Sequence, residues 1–186
     1  EWHLEYRMST LELKELSHPS GEVIKIAAGK TLDLHSQGTT KMPSGSILQV
    51  VNAGYSTHMT TSSSTYVDTG YQLSITPLYA NSKMFITFSA HVYLNSGAAD
   101  WNAVAFRILR DSTTVTGSDP QGGYAFGKYT PSGQYQYATY SKTYIDSPNT
   151  TNAVIYKPQV SAIGSVQINN SGGTEATQLI IMEIAQ

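Results

Sequence analysis

Residues 83–94 read KMFITFSAHVYL, and this stretch decides the fold class. Every second side chain is apolar, namely Met84, Ile86, Phe88, Ala90 and Val92. Because successive side chains of a β-strand point to opposite faces, this period of two predicts a long strand with one buried face. The other face begins with Phe85, ends with Tyr93 and carries Thr, Ser and His between them.

Short runs rich in β-branched and aromatic residues flank this strand, with Ser, Thr, Gly and Asn between them. They span 47–52, 55–60, 66–69, 72–76, 103–110, 134–145, 153–162, 166–169 and 177–185. Strands at this spacing predict an all-β fold, and we expect a jelly-roll-like β-sandwich. Pro158 removes a ladder donor, so its strand is expected at a sheet edge or with a bulge.

Composition narrows the function. Charged residues make up 13% of the chain, against about 25% in an average globular protein. The net charge is −2, so we expect no binding to nucleic acid, which needs clustered Lys and Arg. Cysteine is absent, and no apolar run approaches the ~20 residues of a membrane span. The polar segment 1–7 does not resemble a signal peptide, so we expect synthesis in the cytoplasm and no membrane insertion.

Two parts are expected, an N-terminal anchor or stalk over residues 1–41 and a β-sandwich over 42–186. The turn residues 42–45 mark the boundary between them. Within the first part, 23–26 and 31–34 alternate around the turn 27–30, and each presents one narrow apolar edge. An isolated hairpin is marginal, so this ribbon needs partners. Copies in a trimer would provide them, and packing on its own globular domain is the alternative.

Two segments are candidates for ligand binding. The first, 118–137, is rich in glycine and concentrates the aromatic residues Tyr124, Phe126, Tyr129, Tyr135 and Tyr137. The second, 95–102, contains Asp100 and Trp101. Aromatic rings stack on sugar faces and are enriched at interfaces, and loops on a rigid scaffold commonly carry recognition. The alternative is that these aromatics cover the sandwich or pack at a trimer interface.

Four residues are expected to fix turns rather than bind. Asp111 should accept hydrogen bonds from backbone N–H groups two or three residues ahead. In the second turn, Pro148 presets φ while Asp146 and Asn149 bond the backbone.

Arg107 and Arg110 are three residues apart in a strand and so face opposite sides. One of them is expected to pair with an acidic residue, within the chain or across a subunit interface.

Nothing in the sequence predicts an enzyme. The histidines His3, His18, His35, His58 and His91 lack close ligand spacing, although three copies of His35 or His91 on a trimer axis would be a route to a metal site. Glycosidases need two carboxylates held close together. The acidic residues of the second part are spread along it, mostly in turns: Asp68, Asp100, Asp111, Asp119, Asp146, Glu175 and Glu183. We therefore expect no catalytic residue, no metal and no cofactor.

Several stretches, in order, resemble the distal β-domain of tail-fibre and related virion proteins of marine and cyanobacterial phages. The opening strand, 43–51, resembles its first strand, and 74–77 followed by 81–83 resembles its second signature. The central hairpin 109–113, the stretch 146–159 and the closing strand 179–184 follow in the same order. Upstream, 28–33 resembles a repeat element of fibre stalks.

This resemblance implies a homotrimer, located in the virion, that attaches to a host surface glycan or protein. It further implies that residues 1–41 bind other phage tail or capsid proteins. A collar, head-fibre or capsid decoration protein is the runner-up, because residues 1–41 are short for a fibre shaft. A surface depolymerase and a free-standing cellular lectin are more distant alternatives.

Overall fold

The fold is taken from a computed structural model that describes residues 28–30, 42–95, 101–115, 126–129, 135–169 and 177–186. The chain divides into two compact units, Glu1–Lys41 and Met42–Gln186. In the first unit the described residues form a turn at Gly29, whose φ is +73°. The stalk strands expected at 23–26 and 31–34 lie outside the described residues. All that follows concerns the second unit.

The second unit is all-β, and its described residues contain no helix. Its strands are β1 Ile47–Tyr55, β2 Met59–Thr61, β3 Val67–Asp68, β4 Leu73–Ile75, β5 Lys83–Asn95, β6 Trp101–Arg110, β7 Thr113–Thr114, β8 Phe126–Tyr129, β9 Tyr135–Asp146, β10 Val154–Ile163, β11 Ser165–Ile168 and β12 Thr177–Ile184. They form two antiparallel sheets of six strands each. The strand β8 was not expected, because its segment was interpreted as a loop.

Sheet A is built around β5. One edge of β5 pairs with β9 along nearly its whole length, so β11 and β12 share the other edge, end to end. Next to them β1 pairs with β12 and β2 pairs with β11. The strands β11 and β12 therefore form one column of the sheet that is interrupted once, and β1 and β2 form a second. The two interruptions are adjacent.

Sheet B repeats this plan around β6 and β10, which pair with each other. Along the free edge of β10 lie β3 and β4, and along the free edge of β6 lie β7 and β8. The two sheets together hold eight strand positions in chain order, if each interrupted pair counts as one. Sheet A then has the order 1-8-3-6 and sheet B the order 2-7-4-5. Eight strands wound through two sheets in this way form a jelly roll, so the predicted jelly-roll-like β-sandwich is confirmed.

The core lies between the two sheets and follows the alternation seen in the sequence. Met84, Ile86, Phe88 and the other even-numbered residues of β5 up to Leu94 are buried. Phe88 packs edge-on against Phe106 of sheet B, with ring centroids 5.3 Å apart. Burying a side chain of this size stabilises the fold by about 1.5–3 kcal/mol. A charge-poor chain without disulfides thus derives its stability from this interior.

Pro158 lies neither at a sheet edge nor at a bulge, contrary to expectation. Its strand pairs with β6 on one side and with β3 and β4 on the other. The carbonyl of Pro158 accepts hydrogen bonds from the backbone N–H (3.3 Å) and hydroxyl (2.8 Å) of Thr69. The N and C=O of one strand residue point to the same side, so the absent donor faces the gap between β3 and β4. The proline is tolerated because the neighbouring strand is interrupted there.

Asn169 closes the interruption between β11 and β12. Its backbone has a φ of +58°, and its side chain is nearly fully buried. The Nδ2 group donates to the carbonyl of Tyr55 (2.8 Å) and to the hydroxyl of Tyr71 (3.0 Å). The Oδ1 atom accepts from the backbone N–H (3.2 Å) and hydroxyl (2.9 Å) of Thr177. One amide therefore satisfies donors and acceptors that the broken strands leave unpaired.

Candidate binding surface

One end of the sandwich holds the described residues that border the two segments singled out in the sequence. At this end β5 finishes at Asn95, β6 begins at Trp101, β8 finishes at Tyr129 and β9 begins at Tyr135. The registers bring these positions together, since Asn95 pairs with Tyr135 and Trp101 pairs with Tyr129. We call this the aromatic end. The opposite end holds the start of β1, β5 and β10.

Two aromatic side chains at the aromatic end are open to solvent. Trp101 is 44% exposed and Tyr137 is 68% exposed. The Tyr137 ring contacts that of Tyr93, its partner across the β5–β9 ladder, with centroids 4.9 Å apart and planes tilted by 53°. Tyr93 is itself buried and fixes one face of the Tyr137 ring. The exposed ring is therefore held on a paired strand, which lowers the entropy lost when it orders against a ligand.

Of the other predicted binding residues, three lie in described strands and two lie outside the described residues. Phe126 lies in β8 opposite Val104, and Tyr129 and Tyr135 have the backbone positions given above. The interpretation of the glycine-rich segment as a loop was therefore wrong for 126–129, whereas the strand expected at 134–145 is confirmed as β9. The free edge of β6 supplies backbone partners that a Gly-rich sequence does not reveal. Tyr124 and Asp100 lie outside the described residues.

The two predicted turns are held by longer-range contacts than expected. Asp111 has a φ of +55°, and its carboxylate accepts from the backbone N–H of Ile155 (3.0 Å), not from the residues that follow it. The N–H of Asp111 donates back to the carbonyl of Ile155 (2.7 Å). The loop between β6 and β7 is thus fastened to β10, because Asp111 continues the line of the β6–β10 ladder.

In the second turn Asn149 bonds the backbone, while Asp146 does not serve the turn in this way. Asn149 has a φ of +54°, and its Nδ2 donates to the carbonyl of Ser147 (3.1 Å). Pro148 is buried between them. The carboxylate of Asp146 instead accepts from Arg110 Nη1 (2.5 Å) and from the Tyr156 hydroxyl (2.7 Å).

Arg107 and Arg110 face opposite sides of sheet B. Arg110 forms an ion pair within the chain, with Asp146. Arg107 lies on the outer face, where its Nε donates to Gln159 (2.6 Å) and Gln159 donates to Asp68 (2.6 Å). The Arg107 guanidinium also lies 4.4 Å from the centre of the Tyr66 ring. The sequence did not predict the hydrogen-bonded row of Arg107, Gln159 and Asp68, because the row depends on the register of three strands.

The titratable groups with shifted pKa values lie in structural positions. Burial raises the pKa of Tyr140, and its hydrogen bond with Tyr144 (2.9 Å) raises it further. Burial also raises the pKa of Tyr144, although its bond with Tyr140 acts in the opposite direction. Tyr156 has a raised pKa, through burial first and the neighbouring Asp146 second. These phenols therefore stay protonated at neutral pH and act as hydrogen-bonding core residues.

The described residues contain no group of three or more His, Cys, Asp or Glu side chains arranged to hold a metal ion. His91 lies on the outer face of sheet A, where its Nδ1 is 3.4 Å from the Thr139 hydroxyl. His35 lies outside the described residues. No helix in the described part of the chain is long and apolar enough to cross a membrane.

Comparisons with known proteins find structural neighbours only. No protein-family model and no curated protein matches the chain. Solved structures that match include a mutant VP2 protein of infectious bursal disease virus in derived T=1 particles, 12% identical with a TM-score of 0.38. The Gt strain of that virus (11%, 0.38) and a VP2 subviral particle (9%, 0.34) match similarly.

Each of these matches covers 84% of this chain and 41–42% of the other chain. The chain thus spans about two-fifths of the length of these neighbours. A likeness of this size assigns no function to the chain.

Proposed function

We propose that this chain is a structural protein of a phage virion, a tail fibre or spike that attaches to the host surface, and that its aromatic end binds glycan. The observation that carries the proposal is the exposed Tyr137 ring, held by Tyr93 on sheet A, with the exposed Trp101 ring at the same end of the jelly roll on sheet B. Jelly rolls occur in viral capsid and lectin domains. The ordered motifs that resemble fibre proteins support the same role.

Each of the two rings suits a weak, rigid contact with a sugar. Trp and Tyr offer an apolar face for a sugar ring together with a polar group for its hydroxyls. Both residues lie in strands, so little conformational freedom is lost on binding. A homotrimer would present three such sites on one tip, and the combined avidity would exceed the affinity of any single site. Residues 1–41 would then connect the tip to other tail or capsid proteins of the particle.

The attachment role requires no chemistry at the glycan. We propose that the protein binds without cleaving, needs no cofactor, and acts in the virion after synthesis in the host cytoplasm. Incubation with host polysaccharide should therefore release no reducing sugar. A surface depolymerase would release it, and replacing one Asp or Glu would abolish the release.

A collar, head-fibre or capsid decoration protein is the second candidate. The jelly-roll strand order favours it as well, since capsid domains share that architecture. In that role the exposed surfaces would bind virion proteins, and the aromatic end would have no affinity for sugars. Affinity for sugars therefore distinguishes the two roles.

The test is binding of the full chain to an array of bacterial surface polysaccharides. Trp101→Ala and Tyr137→Ala are compared with Leu78→Ala, which removes a side chain that is 56% exposed at the opposite end. We expect each aromatic variant to weaken binding about tenfold or more, as loss of a stacking aromatic anchor does, and the Leu78 variant to bind like the wild type. Equal binding by all variants would contradict the proposed site. Absence of binding to every polysaccharide would favour the decoration role.

A further inference from the structure

The outer face of sheet A is almost free of charge. Residues directly opposite each other in adjacent strands share a face, so the registers define its members. In the described residues these are Ile47, Val50, Asn52, Gly54, Thr60, Lys83, Phe85, Thr87, Ser89, His91, Tyr93, Tyr137, Thr139, Ser141, Thr143, Ile145, Ser165, Gln167, Gln178, Ile180, Met182 and Ile184. Lys83, at one margin, is the formally charged residue among them. Charge depletion of this kind distinguishes the core of a protein interface from ordinary surface.

One end of this face is apolar across all four columns of the sheet. Val50, Met182, Phe85 and Ile145 form a single row, each residue directly opposite the next. Ile47 pairs with Ile184 on one side of this row, and Ile180 lies on the other. Ile47, Val50 and Ile145 are 54%, 52% and 65% exposed. Contiguous apolar surface of this kind commonly marks an interaction site.

The face is also large enough to form a stable interface. Four columns, each about 4.8 Å wide, cover about 19 Å, and a 13-residue strand such as β5 is about 43 Å long. The product is about 800 Å² for the whole face, which is close to the area that each partner buries in a standard protein interface. A contact that begins at the apolar end and stops short of Tyr137, about 26 Å from that row along the strands, leaves the aromatic end open. Its apolar row would supply the dehydrated part of the contact, and its Ser, Thr and Gln side chains would supply the polar part.

We propose that the outer face of sheet A is an interface between copies of this chain. A face without acidic or basic clusters meets its own copy without placing like charges opposite each other, so it is complementary to itself. Sheets pack face to face about 10 Å apart when their side chains interdigitate, and a row of Ile, Val, Met and Phe suits that packing. The inference does not depend on the attachment role.

The outer face of sheet B provides the internal contrast. It carries Arg107, Gln159 and Asp68 in a hydrogen-bonded row, with Lys157 on the same side of β10. Charged groups of this kind are typical of a solvated surface, and the contrast applies to this part of the face, because Ala103, Ala105 and Ser161 on the same face are buried. The two outer faces of one sandwich are therefore chemically unlike, and the self-contact is assigned to sheet A.

The experiment is the solution mass of the full chain by light scattering, from roughly 1 to 100 µM, where reversible association is common. Val50→Lys and Ile145→Lys introduce an ammonium into the apolar row, and Leu78→Lys introduces one at a side chain of similar exposure outside this face. We expect a multimeric wild type, about 100-fold weaker association in the two face variants, and no change in the Leu78 variant. A monomeric wild type, or a multimer that both face variants retain, would overturn the inference.

A second measurement does not depend on whether the lysine variants fold. The chain contains no cysteine, so Thr143→Cys and Leu78→Cys each accept a single nitroxide label. As the protein concentration rises, the label at position 143 should lose mobility while the label at 78 stays mobile. The reverse pattern would overturn the inference. A wild type that associates through this face but binds no glycan would retain this inference and remove the attachment role.

Discussion

Arg110 donates a 2.5 Å hydrogen bond from Nη1 to the carboxylate of Asp146 and so joins sheet B to sheet A. The side chains are 21% and 11% exposed, and Tyr156 donates to the same carboxylate oxygen from the core of sheet B. The pair raises the pKa of Arg110: burial alone would lower it, and the hydrogen bond and charge of Asp146 outweigh burial. The carboxylate of Asp146, in sheet A, thus accepts hydrogen bonds from two side chains of sheet B.

Replacing Asp146 with Ala should destabilise the fold by about 2–3 kcal/mol. The change leaves the partly buried Arg110 without its counter-ion and the Tyr156 hydroxyl without its acceptor, and bonds to charged groups are worth about 1.5–3 kcal/mol. Urea unfolding followed by circular dichroism measures the difference. Asp68→Ala is the control, because this exposed carboxylate accepts from neutral Gln159 and its loss should cost about 0.5 kcal/mol or less. Equal losses in the two variants would contradict the assignment.

Replacing Asn169 with Ala should cost about 3–4 kcal/mol. The variant loses bonds to Tyr55, Tyr71 and Thr177, leaves buried groups unpaired, and places alanine at positive φ. Asn149→Ala is a matched control, because Asn149 has nearly the same φ but is exposed and makes one bond to the backbone. We expect the control to lose about 1 kcal/mol in the same urea experiment. A comparable loss at both sites would show that backbone conformation, not the buried network, sets the cost.

Local patterns were sufficient to predict most of the fold. The alternation from Met84 to Val92 identified the central strand of sheet A and its buried face, since a period of two is a local property. The strand β8 was missed because its four residues depend on the free edge of β6 for hydrogen bonds. The interior position of Pro158 was missed for a related reason. The neighbouring strand is interrupted between β3 and β4, at residues about 90 positions earlier in the chain.

The candidate surfaces were predicted less completely than the fold. Trp101 and Tyr137 were recognised by residue type, but the contact of Tyr137 with Tyr93 depends on a register between strands 44 residues apart. The turn residue Asp111 was recognised, while its partner Ile155 was not, for the same reason. The uncharged face of sheet A emerges only when β1, β12, β5 and β9 are set side by side. Cross-strand register is the information that a single sequence does not contain.

Replacing Gly164 with Ala should destabilise the fold by about 2 kcal/mol or more. Gly164 joins β10 of sheet B to β11 of sheet A with a φ of +74°, and a Cβ there would lie 1.9 Å from Oδ1 of the fully buried Asn102. Positive φ alone costs a non-glycine residue about 1–2 kcal/mol. Gly70→Ala separates the two effects, because Gly70 has a φ of +79° and open space around its Cα. A thermal unfolding series should place the Gly164 variant below the Gly70 variant, and the reverse order would contradict the contact with Asn102.

Glu183 should make the stability of the fold depend on acid pH. Its side chain is fully buried near the end of sheet A, where burial raises its pKa but hydrogen bonds from the Gln49 amide and from the backbone N–H groups of Leu78 and Tyr79 outweigh burial and lower it. A carboxyl group whose pKa is lower in the folded state stabilises the fold above its unfolded value, near 4.5. That stabilisation is lost as the pH falls through the folded pKa.

The test compares wild type with Glu183→Gln by urea unfolding from neutral pH to acid. At pH 7 the variant should be less stable by about 2 kcal/mol, because glutamine offers one acceptor oxygen where the carboxylate offers two to the Leu78 and Tyr79 N–H groups. The difference should shrink below pH 4.5, since the wild-type carboxyl then takes up a proton and loses the same advantage. Other carboxyl groups titrate equally in both proteins and cancel in the difference. A gap that stays constant down to strongly acid pH would show that Glu183 acts through shape and packing, without its charge.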